Sequence, residues 1–218
     1  AKELAATGKP VILILNEGRP RIISKFEQNV NGIIQTYLPG NYGGDALADI
    51  LFGDVNPSGK LPYNYPRYPN ALIPYIHKPS EEQTAAEGVY NYEADYNPQF
   101  SFGDGLSYTH FEVKDKTEIN TTGEINIEVK ITNTGKRKGK EVIEVYTSDL
   151  YASGITPDVK RLRRFTKLEL NPGETKTVSF TIKAQDLAYF NKNGDPVVEP
   201  GEFELMVKDL KQTFKIVE

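Results

Sequence analysis

The stretch LPGNYGGDALADILFGDVNPSGKLP, residues 38–62, decides how the front of this chain is read. It follows an apolar run, residues 32–37 (GIIQTY), with the make-up of a buried strand. Pro39 and Gly40 stop that strand, and Gly43-Gly44 form a tight turn that only small residues enter freely. Asp45 then opens a helix, its carboxylate suited to the positive helix start. Ala46, Leu47, Ile50 and Leu51 fall on one helical face, Asp45 and Asp49 on another. Gly53 is placed as the C-terminal cap, and Asn56-Pro57-Ser58-Gly59 is turn chemistry. The sequence therefore predicts strand, glycine turn, short helix and a proline-rich exit.

Working upstream, residues 11–15 (VILIL) are apolar on both faces, as a strand covered above and below would be. Residues 16–20 (NEGRP) read as a loop. Ile22, Ile23, Phe26 and Val30 follow a weak helical rhythm, and the gap from Asn16 to Asn31 is long enough for a crossover between parallel strands. Residues 1–53 thus predict helix, strand, helical crossover, strand, helix: a piece of a parallel α/β sheet. Residues 1–8 (AKELAATG) read as the end of a helix without an N-cap or an initiator Met, which predicts a longer polypeptide upstream. Two parallel strands cannot cover their own faces, so this part is expected to be roofed by polypeptide outside the 218 residues.

Downstream the rhythm changes twice. Proline recurs at 57, 62, 66, 69, 74, 79 and 98, and tyrosine at 63, 65, 68, 75, 90, 92, 96 and 108. This predicts an extended connector whose tyrosines bury their rings and leave their hydroxyls wet, with one or two rings at a sugar site as the alternative. From residue 111 onward, short period-2 runs appear: Ile125, Ile127, Val129 and Ile131; Val142, Ile143 and Val145 less cleanly; Val178, Phe180 and Ile182; Phe203, Leu205 and Val207; Phe214 and Ile216. Thr134-Gly135, Asn171-Pro172-Gly173, Asn193-Gly194 and Pro200-Gly201 separate them. Short strands at this spacing predict an antiparallel β-sandwich of the immunoglobulin or fibronectin III kind. The expected fold class is α/β plus all-β, with an incomplete α/β layer at 1–65, a connector at 66–110 and the sandwich at 111–218.

Composition narrows the partners. Net charge is -4 at pH 7 without a basic block, which argues against nucleic acid. No apolar run is long enough to span a membrane. Cysteine is absent, so disulfides and thiolate chemistry are excluded.

Taken in order, KPVILILNEGRP (9–20), YLPGNYGGDALADILFGDVNPSGKLPYNYP (37–66), FSFGDGLSYTHF (100–111), ITNTGKRKGKEVIEVY (131–146), LRRFTKLELNPGETKTVSF (162–180) and VVEPGEFELMV (197–207) resemble the C-terminal part of bacterial glycoside hydrolase family 3 enzymes. The resemblance implies a TIM-like barrel first, then an α/β sandwich, then a fibronectin type III-like domain. It implies an exo-acting, β-glucosidase-like activity on terminal β-D-glucosyl residues of oligosaccharides, with β-xylosidase as the alternative within the family. It also implies a periplasmic or secreted protein that needs no cofactor and no metal and is capable of forming a homodimer. Retention of configuration needs two carboxyl groups about 5–5.5 Å apart. In the family the nucleophile is an Asp on the barrel and the acid/base usually a Glu upstream of the strand matching residues 11–15. Neither motif is present, so no catalytic residue is carried over and the chain alone is expected to be inactive.

Ligands of open parallel sheets sit off the carboxyl ends of the strands, which here are residues 16–19 and 41–44. Glu17 and Arg19 are candidates to line a sugar cleft or brace an acid/base loop; the competing reading is an interdomain ion pair and turn packing. Asn41 and Tyr42 are candidates to reach a sugar hydroxyl, against a role as variable turn residues. The Gly40–Gly44 turn lacks the Lys-Ser/Thr of a phosphate loop. His77 and His110 lack metal-site spacing, and residues 191–195 (NKNGD) read as a hairpin turn rather than a calcium loop. Lys160, Arg161, Arg163 and Arg164 form one basic cluster, with Arg161 and Arg163 on a shared strand face and solvent, a neighbouring domain or an anionic glycan before them. Residues 80–87 (SEEQTAAE) read as a solvated segment or short helix. Two other functions compete with the enzyme part: a stand-alone carbohydrate-binding or adhesion module, which the lack of Trp and the mostly core registers of the sandwich aromatics count against, and a purely structural scaffold.

Overall fold

The computed structural model describes residues 1–71, 74–82, 96–119 and 123–217. The chain divides into two compact units: Ala1–Val55, Leu61–Tyr75 and Glu81–Asp104 form the first, and Asn56–Lys60, Ile76–Ser80 and Gly105–Glu218 the second.

The first unit contains helix α1 (Lys2–Ala5), strands β1 (Ile12–Leu15) and β2 (Gly32–Gln35), and helix α2 (Gly43–Phe52). The strands pair in parallel, from Ile12 opposite Gly32 to Leu15 opposite Gln35. The crossover is not the helix that Ile22, Ile23, Phe26 and Val30 suggested. It holds a single 3-10 turn, Glu27–Asn29. The apolar residues act as plugs instead of a stripe: Ile23 is 2% exposed and packs with Leu15 and Tyr65. A side chain pins the return, since Asn31 Oδ1 accepts the Val11 N–H at 2.9 Å.

Helix α2 begins at Gly43, two residues ahead of the predicted start. Gly43 leaves no room for a side chain, because a Cβ there would lie 2.5 Å from Pro39 Cγ. At the far end Gly53 takes φ 85° and donates its N–H to Ile50 O at 3.1 Å, the left-handed cap the sequence predicted. The apolar face of α2 is only partly covered. Leu47 and Ile50 are half-buried, while Ala46 and Leu51 are exposed and Phe52 is 85% exposed. Ile12 on β1 is also exposed, and all of β2 is only half-buried.

The connector folds back on this unit. Tyr65 N–H donates to Phe100 O and Gln99 N–H to Tyr65 O, both at 2.8 Å. Tyr65, with Leu13, Phe26, Ile33, Leu61, Tyr63 and Phe100 around it, belongs to the buried cluster. Its hydroxyl is therefore not wet, contrary to the expectation for the connector tyrosines. Residues 79–82 form a 3-10 turn; the rest of the acidic segment, and Tyr90 and Tyr92, lie outside the described residues.

The second unit is the antiparallel β-sandwich. Strands β3 (Phe111–Ile119), β4 (Glu124–Asn133) and β7 (Thr175–Lys183) form one sheet in the order β3-β4-β7. Strands β5 (Gly139–Asp149), β6 (Arg161–Leu170), β10 (Gly201–Val207) and β11 (Leu210–Ile216) form the other, in the order β11-β10-β5-β6. Period-2 patterning drives the packing: Ile125, Ile127, Val129 and Ile131 on β4 are each at most 1% exposed and face Ile143, Val145, Leu205 and Val207 in one core. Each such burial contributes about 1.5–3 kcal/mol before entropy is charged against it. Phe203 and Phe214, opposite each other on β10 and β11, stack at 5.5 Å. Residues 191–195 do form a hairpin turn, between β8 (Tyr189–Phe190) and β9 (Pro196–Val197), with Asn191 Oδ1 accepting the N–H groups of Asn193 and Asp195.

The basic cluster keeps a shared side across an irregularity. Thr147 pairs with Arg161, Tyr146 with Leu162 and Val145 with Arg164, so Arg163 is the extra residue of a β-bulge, and its Nε donates to Thr147 Oγ1, which brings it to the side of Arg161. The sandwich aromatics sit mostly in core registers, with Tyr151 75%, Phe165 68% and Phe190 66% exposed. A buried polar centre also appears. Asn133, fully buried, accepts from Thr109 Oγ1 (2.7 Å) and Gly135 N (3.1 Å) and donates to Arg137 O (2.8 Å) and Leu170 O (3.1 Å).

Candidate functional site

Because β1 and β2 run the same way, the segments after them emerge together. Thr36 donates its N–H and Oγ1 to Leu15 O at 2.9 and 3.1 Å. Gln35 Nε2 donates to Glu17 O at 3.4 Å, and a Cβ on Gly18 would meet Leu38 Cδ1 at 3.6 Å. The loop holding Glu17 and Arg19 thus lies against the segment leading to Asn41 and Tyr42.

Glu17 is half-buried and held in place. Its Oε1 accepts the Tyr65 hydroxyl at 2.9 Å and the Arg21 N–H at 3.3 Å. The same hydroxyl lies 2.7 Å from Arg21 O and accepts the Arg21 N–H at 3.2 Å. One hydroxyl proton can serve only one acceptor at a time, so Glu17 and Arg21 O share it. Arg19, Asn41 and Tyr42 are different: all three are exposed, Tyr42 to 81%, and among the described residues their side chains have no hydrogen-bond or ion-pair partner.

Behind the loop stands a tyrosine row: Tyr63 and Tyr65 of the recurring set, joined by Tyr37, which the sequence reading did not single out. Tyr37, at the end of β2, has φ 55°, a left-handed conformation that costs a non-glycine residue about 1–3 kcal/mol. Its ring meets Tyr63 edge-on at 6.4 Å, Tyr63 lies 6.4 Å from Tyr65, and Tyr65 meets Phe100 edge-on at 5.9 Å. Burial pushes the Tyr63 phenol up to about 12, helped by the neighbouring Tyr37 and Glu17 charges and a hydrogen bond with Tyr37. Burial and then Glu17 push Tyr65 up as well, and burial raises Tyr37. The row stays protonated through the physiological range, so Tyr65 keeps the proton that Glu17 and Arg21 O share. The Tyr-Asn-Tyr alternation at 63–65 was the available signal, but it does not say which residue its hydroxyls meet.

This arrangement offers hydrogen-bond groups and a ring to a polar ligand. The one carboxylate among the four predicted residues, Glu17, is engaged by Tyr65 and Arg21. Among the described residues no group of three or more His, Asp or Glu could hold a metal ion, and no helix is long and apolar enough to cross a membrane.

Residues 1–108 match the family model of the glycosyl hydrolase family 3 C-terminal domain, and residues 141–210 that of the fibronectin type III-like domain. The chain belongs to glycoside hydrolase family 3. Its family 3 relatives include the periplasmic beta-glucosidase of Salmonella typhimurium, 42% identical over 94% of this chain and 28% of that protein. A beta-xylosidase of Formosa agariphila is 41% identical over 92% of this chain and 28% of its own length. The solved family 3 beta-glucosidase from Listeria innocua, in complex with isofagomine, superposes with a TM-score of 0.87 at 31% identity, over 99% of this chain and 32% of that one. The chain thus spans under a third of the relatives it matches.

Proposed function

We propose that this chain is the bracing part of a retaining, exo-acting β-glucosidase that removes terminal non-reducing β-D-glucosyl residues from oligosaccharides. The observation that carries the reading is the strand-end cluster: a loop fixed by Tyr65 and Glu17, displaying Arg19, Asn41 and Tyr42, whose side chains have no hydrogen-bond or ion-pair partner among the described residues. Parallel α/β sheets present their ligands at that end. Two functions follow for these residues. Glu17 keeps the loop in one shape, and Arg19, Asn41 and Tyr42 contact hydroxyls and the apolar face of a sugar. The nucleophile and acid/base belong to a part of the polypeptide that the relatives have and these 218 residues do not include. The name of the Salmonella relative supports a periplasmic site of action.

The test is hydrolysis of an aryl β-glucoside by the whole protein and by the 218-residue chain. The whole protein is expected to release glucose with retained configuration, seen by NMR of the first-formed anomer, and the chain alone to release none. Arg19→Ala and Tyr42→Ala in the whole protein are expected to raise KM. Turnover by the chain alone, or inversion, overturns the proposal. The 41% identity to a beta-xylosidase favours a second reading, β-xylosidase activity. A kcat/KM on the aryl β-xyloside above that on the β-glucoside decides for it.

A further inference from the structure

One end of the β-sandwich carries a notch of about 40 Å3, walled by the end of β5, the start of β6, residues 155–158 and Tyr189. That volume admits the polar edge of a ligand rather than a whole sugar ring.

Most of the charge in the notch is settled within the protein. Asp158 is paired with Lys78 at 2.7 Å and with Arg161 Nε at 2.6 Å. Arg163 Nε donates to Thr147 Oγ1 at 2.8 Å. Two groups are left incomplete among the described residues. Asp149 is half-buried, its carboxylate has the Tyr151 N–H (3.1 Å) as sole hydrogen-bond donor, and no cation pairs with it. Arg161 makes no side-chain hydrogen bond or ion pair beyond Asp158 among the described residues, and its side chain is 46% exposed. Asp149, Asp158 and Glu199 balance Lys78, Arg161 and Arg163, so the notch selects neither an anion nor a cation. What remains is one acceptor edge and one donor edge, which suits adjacent hydroxyls: one donates to Asp149, the other accepts from Arg161.

Tyr151, two residues beyond Asp149, is held to it through its backbone N–H and is 75% exposed. An exposed tyrosine so close in the chain to a carboxylate that lacks a cation can cover the C–H face of a sugar. The wall is set in advance. Glu199 accepts from Ser153 N at 2.8 Å, Ser153 Oγ at 2.5 Å and Tyr189 OH at 2.5 Å, which ties the loop after β5 to β8. Burial, with the Glu199 charge adding to it, holds Asp149 above the ordinary carboxylate value. A carboxylate that opposes folding and bridges no cation is a mark of function over stability.

We propose that Asp149, Arg161 and Tyr151 form a glycan-holding subsite on the sandwich, which takes a neutral oligosaccharide and performs no chemistry on it. It lies within the second unit and is independent of the strand-end cluster above.

The test is a titration of the 15N-labelled 218-residue chain with cellohexaose, xylohexaose, laminarihexaose and, separately, glycerol. At least one hexasaccharide is expected to shift the amides of residues 149–153 and 161–163, with a Kd of about 1 mM or below. Tyr151→Ala and Arg161→Gln, each checked by its melting curve, are expected to weaken that binding about 5-fold or more. Arg161→Gln keeps the test open should Tyr151→Ala fail to fold. The proposal is overturned by no shift with any hexasaccharide at about 10 mM, by shifts confined to residues 16–20 and 38–45, or by glycerol binding as tightly as the sugars.

Discussion

The hydroxyl of Tyr65 lies 2.9 Å from Glu17 Oε1, and that one contact joins residues 48 apart in sequence inside the buried cluster of the first unit. With the Arg21 backbone also held by the same hydroxyl oxygen, loop 16–21 is anchored on a buried side chain. Tyr65→Phe keeps the ring and removes only the hydroxyl. It is expected to cost about 1–2 kcal/mol in urea unfolding and to speed hydrogen exchange at the Arg21 amide. Unchanged exchange at Arg21 would show that the loop is held by something else.

Two adjacent glycines separate close packing from conformational freedom. Gly43→Ala drives a methyl into Pro39, since the Cβ would lie 2.5 Å from Pro39 Cγ and 2.6 Å from its Cβ, and is expected to destabilise by about 1–3 kcal/mol. Gly44→Ala meets nothing within 4 Å inside helix α2 and is expected to stabilise by about 0.5–1 kcal/mol. Thermal melts of the two variants should move in opposite directions.

The two aspartates of the sandwich notch should respond oppositely to pH. Burial alone would raise Asp158, but Lys78 and Arg161 overcome it and hold the group below its ordinary value of 3.8. A depressed folded pKa gives stability that is present above about 3.8 and lost as pH falls through the folded value. Asp158→Asn should therefore be less stable than the parent at pH 7 and converge with it in acid. Asp149 is raised above 3.8 by burial and by Glu199, so its stability contribution is lost as pH rises through the folded value. Asp149→Asn, facing Glu199, Asp158, Arg161 and Arg163, should match the parent in acid and exceed it at neutral pH. Denaturant midpoints at pH 3, 5 and 7 check both signs; parallel curves for either variant refute its assignment.

Much of the fold could be read in advance where one physical rule dominates. The alternation Ile125-Ile127-Val129-Ile131 admits only a strand with one buried face, and β4 has it. Gly53 after an amphipathic run marks a helix end by backbone sterics alone. Edge strands were harder: in β6, Arg161, Arg163, Arg164 and Lys167 interrupt the alternation, and a bulge at Arg163 leaves no local trace. The crossover misled because Ile22, Ile23, Phe26 and Val30 have helical spacing over too short a span, and Ile23 alone is fully buried. For the candidate site, the rule for strand carboxyl ends led to Glu17, Arg19, Asn41 and Tyr42. The Tyr65 brace could not be found that way, since its partner is set by tertiary packing.

Asn133 supplies the sharpest stability probe in the sandwich. Its amide joins Thr109, Gly135, Arg137 and Leu170 in one buried set of four hydrogen bonds. Asn133→Ala strands donors and acceptors away from water and is expected to cost about 3 kcal/mol. Asn133→Asp keeps the shape but loses both donors to Arg137 O and Leu170 O, and should be no better tolerated at neutral pH. A loss below about 1 kcal/mol in chemical denaturation would mean that water replaces the amide.

The bulge at Arg163 also bears on how copies of this protein behave when concentrated. A straight, uncharged border strand invites another chain to lie alongside it and seed a fibril. Strand β6 is interrupted by a bulge at Arg163 and carries cations along its length, two features that disfavour such zippering at this border of the sandwich.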